Sequence, residues 1–375
     1  MHTGVATIPL DYGRCPRWLF ERMQRLARGI TLAICEEFGP EEFLKRISDP
    51  VWFQSFGCVL GFDWNSSGLT TTTLGALKSG IWGIESELGV FVCGGKGKTS
   101  KKTPDQIQKW GEFLGFPMER IDKLVYASKI SAKIDSSALQ DGFQIYHHNL
   151  IFSKTGQWAV VQQGMNTIFQ KARRYHWLSD NVKDFVEEPH SGIISQIKVK
   201  PLNLTAKESD ENRKISTLLV RDEPKTFLRD LALIERKNGG QMTLMELNDV
   251  EFHSHAVQRE TFNLKRLEKV VFFAHEQSPK NFEQLLFLKG IGPRTIRALS
   301  LVSELIYGAK PSYEDPARYT FSFGGKDGTP YPVDRVAYDS VLDIMEKGIE
   351  KSQVSIKEKN EAQKRLNYSY IRKNS

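Results

Sequence analysis

Apolar positions are most regular late in the chain. Between Asn281 and Leu288, residues Phe282, Leu285, Leu286 and Leu288 stand at helical spacing, and from Pro293 to Tyr307 residues Ile296, Leu299, Leu301, Val302, Leu305 and Ile306 gather largely on one side. The pattern predicts two helices joined by Leu288-Lys289-Gly290-Ile291-Gly292, with Pro293 at a first helical position, where its missing N–H costs nothing. Trp18 to Phe38 predicts an amphipathic helix with Arg22, Arg25 and Arg28 on its polar side. Leu150-Ile151-Phe152, a Lys154-Thr155-Gly156-Gln157 turn and Trp158-Ala159-Val160-Val161 predict a β-hairpin within Ile145 to Gln163. From Lys200 to about Arg221 the chain turns polar, which suits a loop or linker. The fold class expected is α+β: a mixed α/β domain over 1–200, a linker over 201–226, an all-helical domain over 227–350 containing the helical hairpin at 281–307, and a basic tail over 351–375. Residues 308–332 interrupt the helical domain as an insertion.

Composition changes this picture in one respect. Of the 375 residues, 40% are hydrophobic and 26% charged, an ordinary globular balance, but Lys and Arg exceed Asp and Glu to give a net charge of +7. That excess favours a polyanionic partner. No apolar run reaches membrane-spanning length and no signal-peptide core stands at the N-terminus, so a cytoplasmic chain is expected. Cys15, Cys35, Cys58 and Cys93 are widely spaced and form no CxxC pair. Neither a zinc ribbon nor an iron–sulfur loop fits them, and no metal or cofactor is expected.

Three polar constellations lie in the N-terminal half. Gly61-Phe62-Asp63-Trp64-Asn65-Ser66-Ser67-Gly68, followed by Thr70 to Thr73, either lines a phosphate or sugar site or satisfies its own backbone. Asp63, Trp64, Ser66 and Ser67 are its candidate pocket residues, together with Lys154 and Gln163 from the hairpin. The second is Cys93-Gly94-Gly95-Lys96-Gly97-Lys98-Thr99. Its Gly-Lys-Thr resembles the end of a nucleotide-binding P-loop, but the first Gly of that motif would fall on Val92, which excludes ATP or GTP. Lys96 and Lys98 remain candidates for clamping a nucleic-acid backbone, against a plain solvated loop. The third is Tyr146-His147-His148-Asn149, with Gln162-Gln163-Gly164 and the basic-aromatic run Arg173-Arg174-Tyr175-His176-Trp177. Adjacent histidines on a strand face opposite ways, so at most one of His147 and His148 serves any given site.

The hairpin Leu288 to Gly292 resembles the helix-hairpin-helix of endonuclease III-type DNA glycosylases. The resemblance implies backbone binding to DNA through Lys289, Gly290, Gly292, Arg294, Thr295 and Arg297, because glycine amides and a free helix N-terminus offer N–H donors to a phosphate. It also implies a catalytic Asp after a Val, which Val333-Asp334 supplies at about twice the usual spacing; the alternative for Asp334 is a helix cap. Arg294 occupies the position of the family's Schiff-base Lys, which excludes a lyase using that position. The His147 hairpin resembles one half of a phospholipase D-type nuclease, with Asn149 where that family has Lys and Lys154 near its Asp position. Nearly end to end, the chain resembles a domain-of-unknown-function family of archaea and thermophilic bacteria. Arg17-Trp18-Leu19, Phe62-Asp63-Trp64, Gly94-Gly95-Lys96-Gly97-Lys98, His147-His148 and Gly324-Gly325-Lys326-Asp327-Gly328 carry that resemblance, which implies a shared fold and no activity.

Three functions follow as expectations. The first is DNA binding in repair or processing, sharpened to a monofunctional glycosylase with Asp334 catalytic. The second is a metal-independent phosphodiesterase with His147 or His148 catalytic. The third is a non-enzymatic DNA or RNA adaptor. DNA is preferred to RNA as partner, and no membrane is expected.

Overall fold

A computed structural model of the protein describes residues 15–62, 67–195, 197–238, 262–317, 343, 345–352 and 354–371. Asp63, Trp64, Ser66, Asp334 and the Gly324–Gly328 motif lie outside them. The fold is α+β. Its centre is a five-stranded antiparallel sheet in the order β1 (Val90–Lys96), β3 (Gln144–Ser153), β4 (Trp158–Asn166), β5 (Lys171–Leu178), β6 (Gly192–Ser195). The expected hairpin is β3–β4, and its neighbours cover it on both edges. A small second pairing joins β2 (Leu139–Gln140) to β7 (Leu202–Asn203).

Strand alternation divides the sheet between two helical layers. Val90, Val92, Ile151, Ala159, Val161 and Leu178 pack with α1 (Arg17–Phe38), α2 (Pro40–Ser48), α3 (Pro50–Val59) and α4 (Gly68–Gly80). Phe91, Cys93, Leu150, Phe152, Val160 and Trp177 turn to the opposite side, against α6 (Thr103–Phe113) and α7 (Met118–Lys133). A short helix, α5 (Glu85–Leu88), leads into β1. Local chemistry marks several helix starts. Pro50 follows Asp49, whose carboxylate accepts from the N–H groups of Val51 and Trp52. Strands buried on both faces have no polar side to display, so they carry apolar runs where they are central.

The helical half does not stand apart. Residues of α8 (Asp210–Arg221), α9 (Pro224–Asn238), α10 (Leu264–Glu276), α11 (Phe282–Phe287) and α12 (Pro293–Leu305) join α6, α7 and the sheet in one continuous core. The expected linker at 201–226 is instead β7 and α8. Several of its polar residues are buried and bonded: Asn212 donates to the carbonyls of Ser300 and Ala309, and Arg213 to those of Leu204 and Ala206. A polar sequence here marks a hydrogen-bonded helix interface rather than solvent. The C-terminal stretch is also more than a tail. Helix α13 (Ile356–Ile371) places Ala362 and Leu366 in the core beside α1–α4, and its Glu358 pairs with Arg25 at 2.6 Å. No described helix is long and apolar enough to cross a membrane.

Candidate functional site

Strands β3, β4 and β5 turn from apolar to polar along their length, and their registers set the polar residues in rows. His147 lies opposite Lys96 of β1 and Gln163 of β4, and Gln163 lies opposite Arg174 of β5. These residues share the face under α1–α4. His148, Gln162 and Tyr175 form the matching row on the other face. The two histidines therefore have separate environments.

On the α7 face every part of the His148 ring is engaged. Its Nε2 lies 2.9 Å from Ser128 Oγ and its Nδ1 lies 2.8 Å from Gln162 Oε1. The Gln162 amide donates from Nε2 to the Ser131 carbonyl and the Asp135 carboxylate, so its oxygen must face His148. His148 then donates from Nδ1 and accepts the Ser128 hydroxyl at Nε2. Asp135 sits in a π-helical turn, Ile134–Ala138, that ends α7, and it also holds Trp177 Nε1 at 3.0 Å and His190 Nε2 at 2.5 Å. Beside this chain, buried Arg173 pairs with Asp141 at 2.9 Å and Asp315 at 2.8 Å, and Tyr175 donates to Asp141 at 2.7 Å. The two carboxylates hold the Arg173 guanidinium above its ordinary pKa. His148 thus belongs to a buried network in which both ring nitrogens have partners.

The opposite face differs. His147 is 1% exposed, and among the described residues its ring is engaged only weakly, by the Asn149 side chain. Burial, then the like charges of His148 and Lys96, push its pKa down to about 3, against a smaller upward effect of the Asn149 amide. Thr73 Oγ1 on this face also lacks a partner among the described residues. Arg174 donates to His176 Nε2 at 2.8 Å, Gln54 Oε1 at 3.1 Å and Thr70 Oγ1 at 3.3 Å, with its guanidinium 4.5 Å from the Phe53 ring centroid. Burial lowers its pKa to about 9. Gln163 donates to the Ser67 carbonyl at 2.9 Å and reaches the Tyr146 hydroxyl at 2.5 Å. Lys96 lies over the Tyr146 ring, 5.9 Å from its centroid.

All three sequence constellations meet at this end of the sheet. Ser67 and Thr70 come from the first, Lys96 from the second, and His147, Gln163 and Arg174 from the third. Gly94 makes the meeting possible: at φ +102°, a Cβ there would stand 2.2 Å from the His148 carbonyl oxygen. Lys154 does not join them. It lies in the turn at the far end of β3, where its N–H bonds the Gly89 carbonyl. Seven residues of strand separate it from His147, roughly 20 Å at the usual rise. Lys98 is exposed in the 3₁₀ turn Gly97–Lys102. Asp135, Asp141 and Asp315 escaped the sequence reading because each is an isolated carboxylate whose partners are remote in the chain. Among the described residues, no group of three or more His, Cys, Asp or Glu could hold a metal ion.

The second candidate surface is the α11–α12 hairpin. Asn281 caps α11 by accepting the Gln284 N–H, Gly290 adopts φ +88°, and Ile291 is buried as the anchor of the turn. Lys133 donates to the Ile291 carbonyl, and Gln140 donates to that of Pro293 at 2.8 Å, tying the hairpin to the end of α7 and to β2. No side chain caps α12, and a Cβ on Gly292 would meet nothing within 4 Å. Lys289 and Arg294 are exposed. Two of the expected contact residues are withdrawn from this surface. Thr295 is 6% exposed, and Arg297 Nε donates to Gln140 Oε1 at 2.8 Å. Both follow from packing, since α12 is covered on most of its sides from Thr295 onward and Gln140 of β2 lies within reach of Arg297.

No curated protein and no solved structure matches the chain. A family described as "Protein of unknown function (DUF763)" matches residues 4–333, and the chain with its two polar sheet faces and its glycine hairpin belongs to that family.

Proposed function

We propose that the protein binds nucleic acid, DNA in preference to RNA, through the phosphate backbone, and acts in DNA repair or processing. The observation that carries this reading is the 288–294 hairpin. Its uncapped α12 N-terminus lies next to a glycine with open space beyond it, and Lys289 and Arg294 flank it as exposed cations. Amides directed at one point, together with two cations, favour a phosphate oxygen over any neutral ligand. Such binding is independent of base sequence and weakens with salt.

A Lys289→Glu/Arg294→Glu variant tests it by fluorescence anisotropy on a labelled duplex. Its affinity should fall at least tenfold, and the salt dependence should become shallower by about two counterions. Equal affinity in the two proteins would sink the reading. Duplexes carrying uracil, hypoxanthine, or oxidised or alkylated bases, resolved with and without hot alkali, test the sharper glycosylase reading. Alkali-dependent cuts that vanish in Asp334→Asn, with binding retained, are its expected result.

A second reading rests on His147. A neutral imidazole beside the Asn149 amide and opposite Lys96 has the composition of a general base at a phosphodiester. It predicts metal-independent cuts in undamaged strands that disappear in His147→Ala. An unchanged cutting rate in that variant rules it out.

A further inference from the structure

A cleft of about 390 Å³ opens at the β1 edge of the sheet, between the turn after α4 and helix α6, next to the Gly94–Lys96 end of β1. Its size falls within the range of sites for small organic molecules, about 300–1,000 Å³. Trp82 and Trp110 line it, with Val92, Lys78, Gln106 and Glu85. Trp82 is 78% exposed, an unusual position for so large an apolar ring. Its backbone is nonetheless anchored. Arg28 donates to the carbonyls of Gly80 at 3.1 Å and Trp82 at 3.3 Å, and Glu85 accepts the Gly83 N–H at 2.7 Å. The ring is therefore presented on a held turn.

The polar side of the cleft is equally determined. Lys78 Nζ lies 2.7 Å from Gln106 Oε1 and 2.7 Å from the Gly94 carbonyl, and the Gly94 N–H lies 2.9 Å from the same Gln106 oxygen. Both groups facing that oxygen are donors, so the amide orientation is forced. Gln106 must direct its NH₂ elsewhere, and that group has no partner among the described residues. The chain then runs from Gly94 directly into Lys96, Lys98, Lys101 and Lys102, all exposed. Aromatic faces, an unused amide donor and a run of cations form the chemical complement of an unpaired nucleotide: a ring to stack, an acceptor on its edge, and phosphates.

We infer that this cleft takes an unpaired base of single-stranded nucleic acid, stacked on Trp82, with the adjoining phosphates along the Lys96–Lys102 turn. The inference rests on the nucleic-acid reading above and adds a second, strand-selective contact to the hairpin. Gln106 would donate to a ring carbonyl or ring nitrogen of that base. A duplex cannot enter, because its bases are stacked and paired.

The test compares three labelled probes of equal length by anisotropy: oligothymidylate, a strand of abasic spacers with the same charge, and a duplex. Wild-type protein should bind oligothymidylate about tenfold more tightly than the abasic strand. Trp82→Ala should erase that difference while leaving abasic-strand and duplex affinity unchanged, and Trp82→Phe should restore part of it. The exposed ring makes loss of folding in these variants readily separable by circular dichroism. The Lys289→Glu/Arg294→Glu protein should instead weaken on the duplex and keep its preference for bases over spacers. Retention of the preference in Trp82→Ala overturns the cleft and leaves the hairpin standing, as does duplex binding by a wild-type protein that ignores the bases. Failure of every probe to bind overturns both.

Discussion

Asp315→Ala should destabilise the protein by about 3–5 kcal/mol, the usual cost of leaving one member of a buried ion pair without its partner. Arg173 is fully buried and divides its guanidinium between Asp315 and Asp141. Asp315 does more than balance charge. It accepts the N–H groups of Val199 and Ala317 at 2.9 and 3.0 Å, tying the segment after α12 to the end of the sheet. Losing the carboxylate strips acceptors from one guanidinium and two backbone amides at once. A lower urea midpoint with an unchanged m value is the expected measurement. A midpoint within experimental scatter of wild type would mean that the pair is replaced by solvent and that this corner opens readily. Arg173→Met with Asp141→Asn and Asp315→Asn should recover part of the loss, since a buried triad exchanged for neutral groups leaves no charge stranded.

Acid should unfold the protein well before its surface carboxylates are titrated. His147, His148 and His176 are buried, and burial lowers the pKa of all three, that of His147 to about 3. In an unfolded chain a histidine takes up its proton near pH 6.5. Below that pH the unfolded state binds more protons than the folded one, so stability must fall with pH. It is complete above about pH 6.5 and declines from there toward the folded pKa. His147 alone accounts for about 1.4 kcal/mol per pH unit over that window. His148 and His176 act in the same direction, so the slope should exceed that of His147 alone. Denaturant titrations between pH 7 and 4.5 would measure it. His147→Gln, which cannot ionise, should reduce the slope by one proton. An identical slope would show that His147 is protonated in the folded protein, and would remove the neutral base on which the phosphodiesterase reading depends.

Much of the site could be read from residues close together in the chain. The glycines and Pro293 specify the α11–α12 turn locally, since a positive φ at Gly290 and a missing N–H at Pro293 are backbone properties that need no partner. The β3–β4 hairpin was legible for the same reason, as was the rule that His147 and His148 point apart. Which of the two is held in a hydrogen-bonded chain was not. That depends on Ser128, Gln162 and Asp135 lying on one side, and on Thr70, Gln163 and Arg174 lying on the other. These residues are far apart in sequence and are set by register.

Polarity misled the reading twice. Residues 201–226 looked solvated, yet α8 uses its polar side chains to bond carbonyls across a helix interface. Thr295 and Arg297 looked like DNA contacts, yet one is buried and the other bonded to Gln140. Composition records that a residue needs hydrogen-bond partners and is silent on whether water or protein supplies them. By itself, the sequence determined the mixed fold class, the hairpins and the net charge of +7, because each depends on local backbone preference or on summed composition, and it carries the family match over residues 4–333. Only the tertiary structure decided that three separated constellations share one end of a sheet, that Lys154 is at the other end, and that Trp82 and Gln106 border one cleft. Those outcomes depend on strand order and on packing between remote segments, where a shift of one residue in register would exchange the two faces and all that they carry.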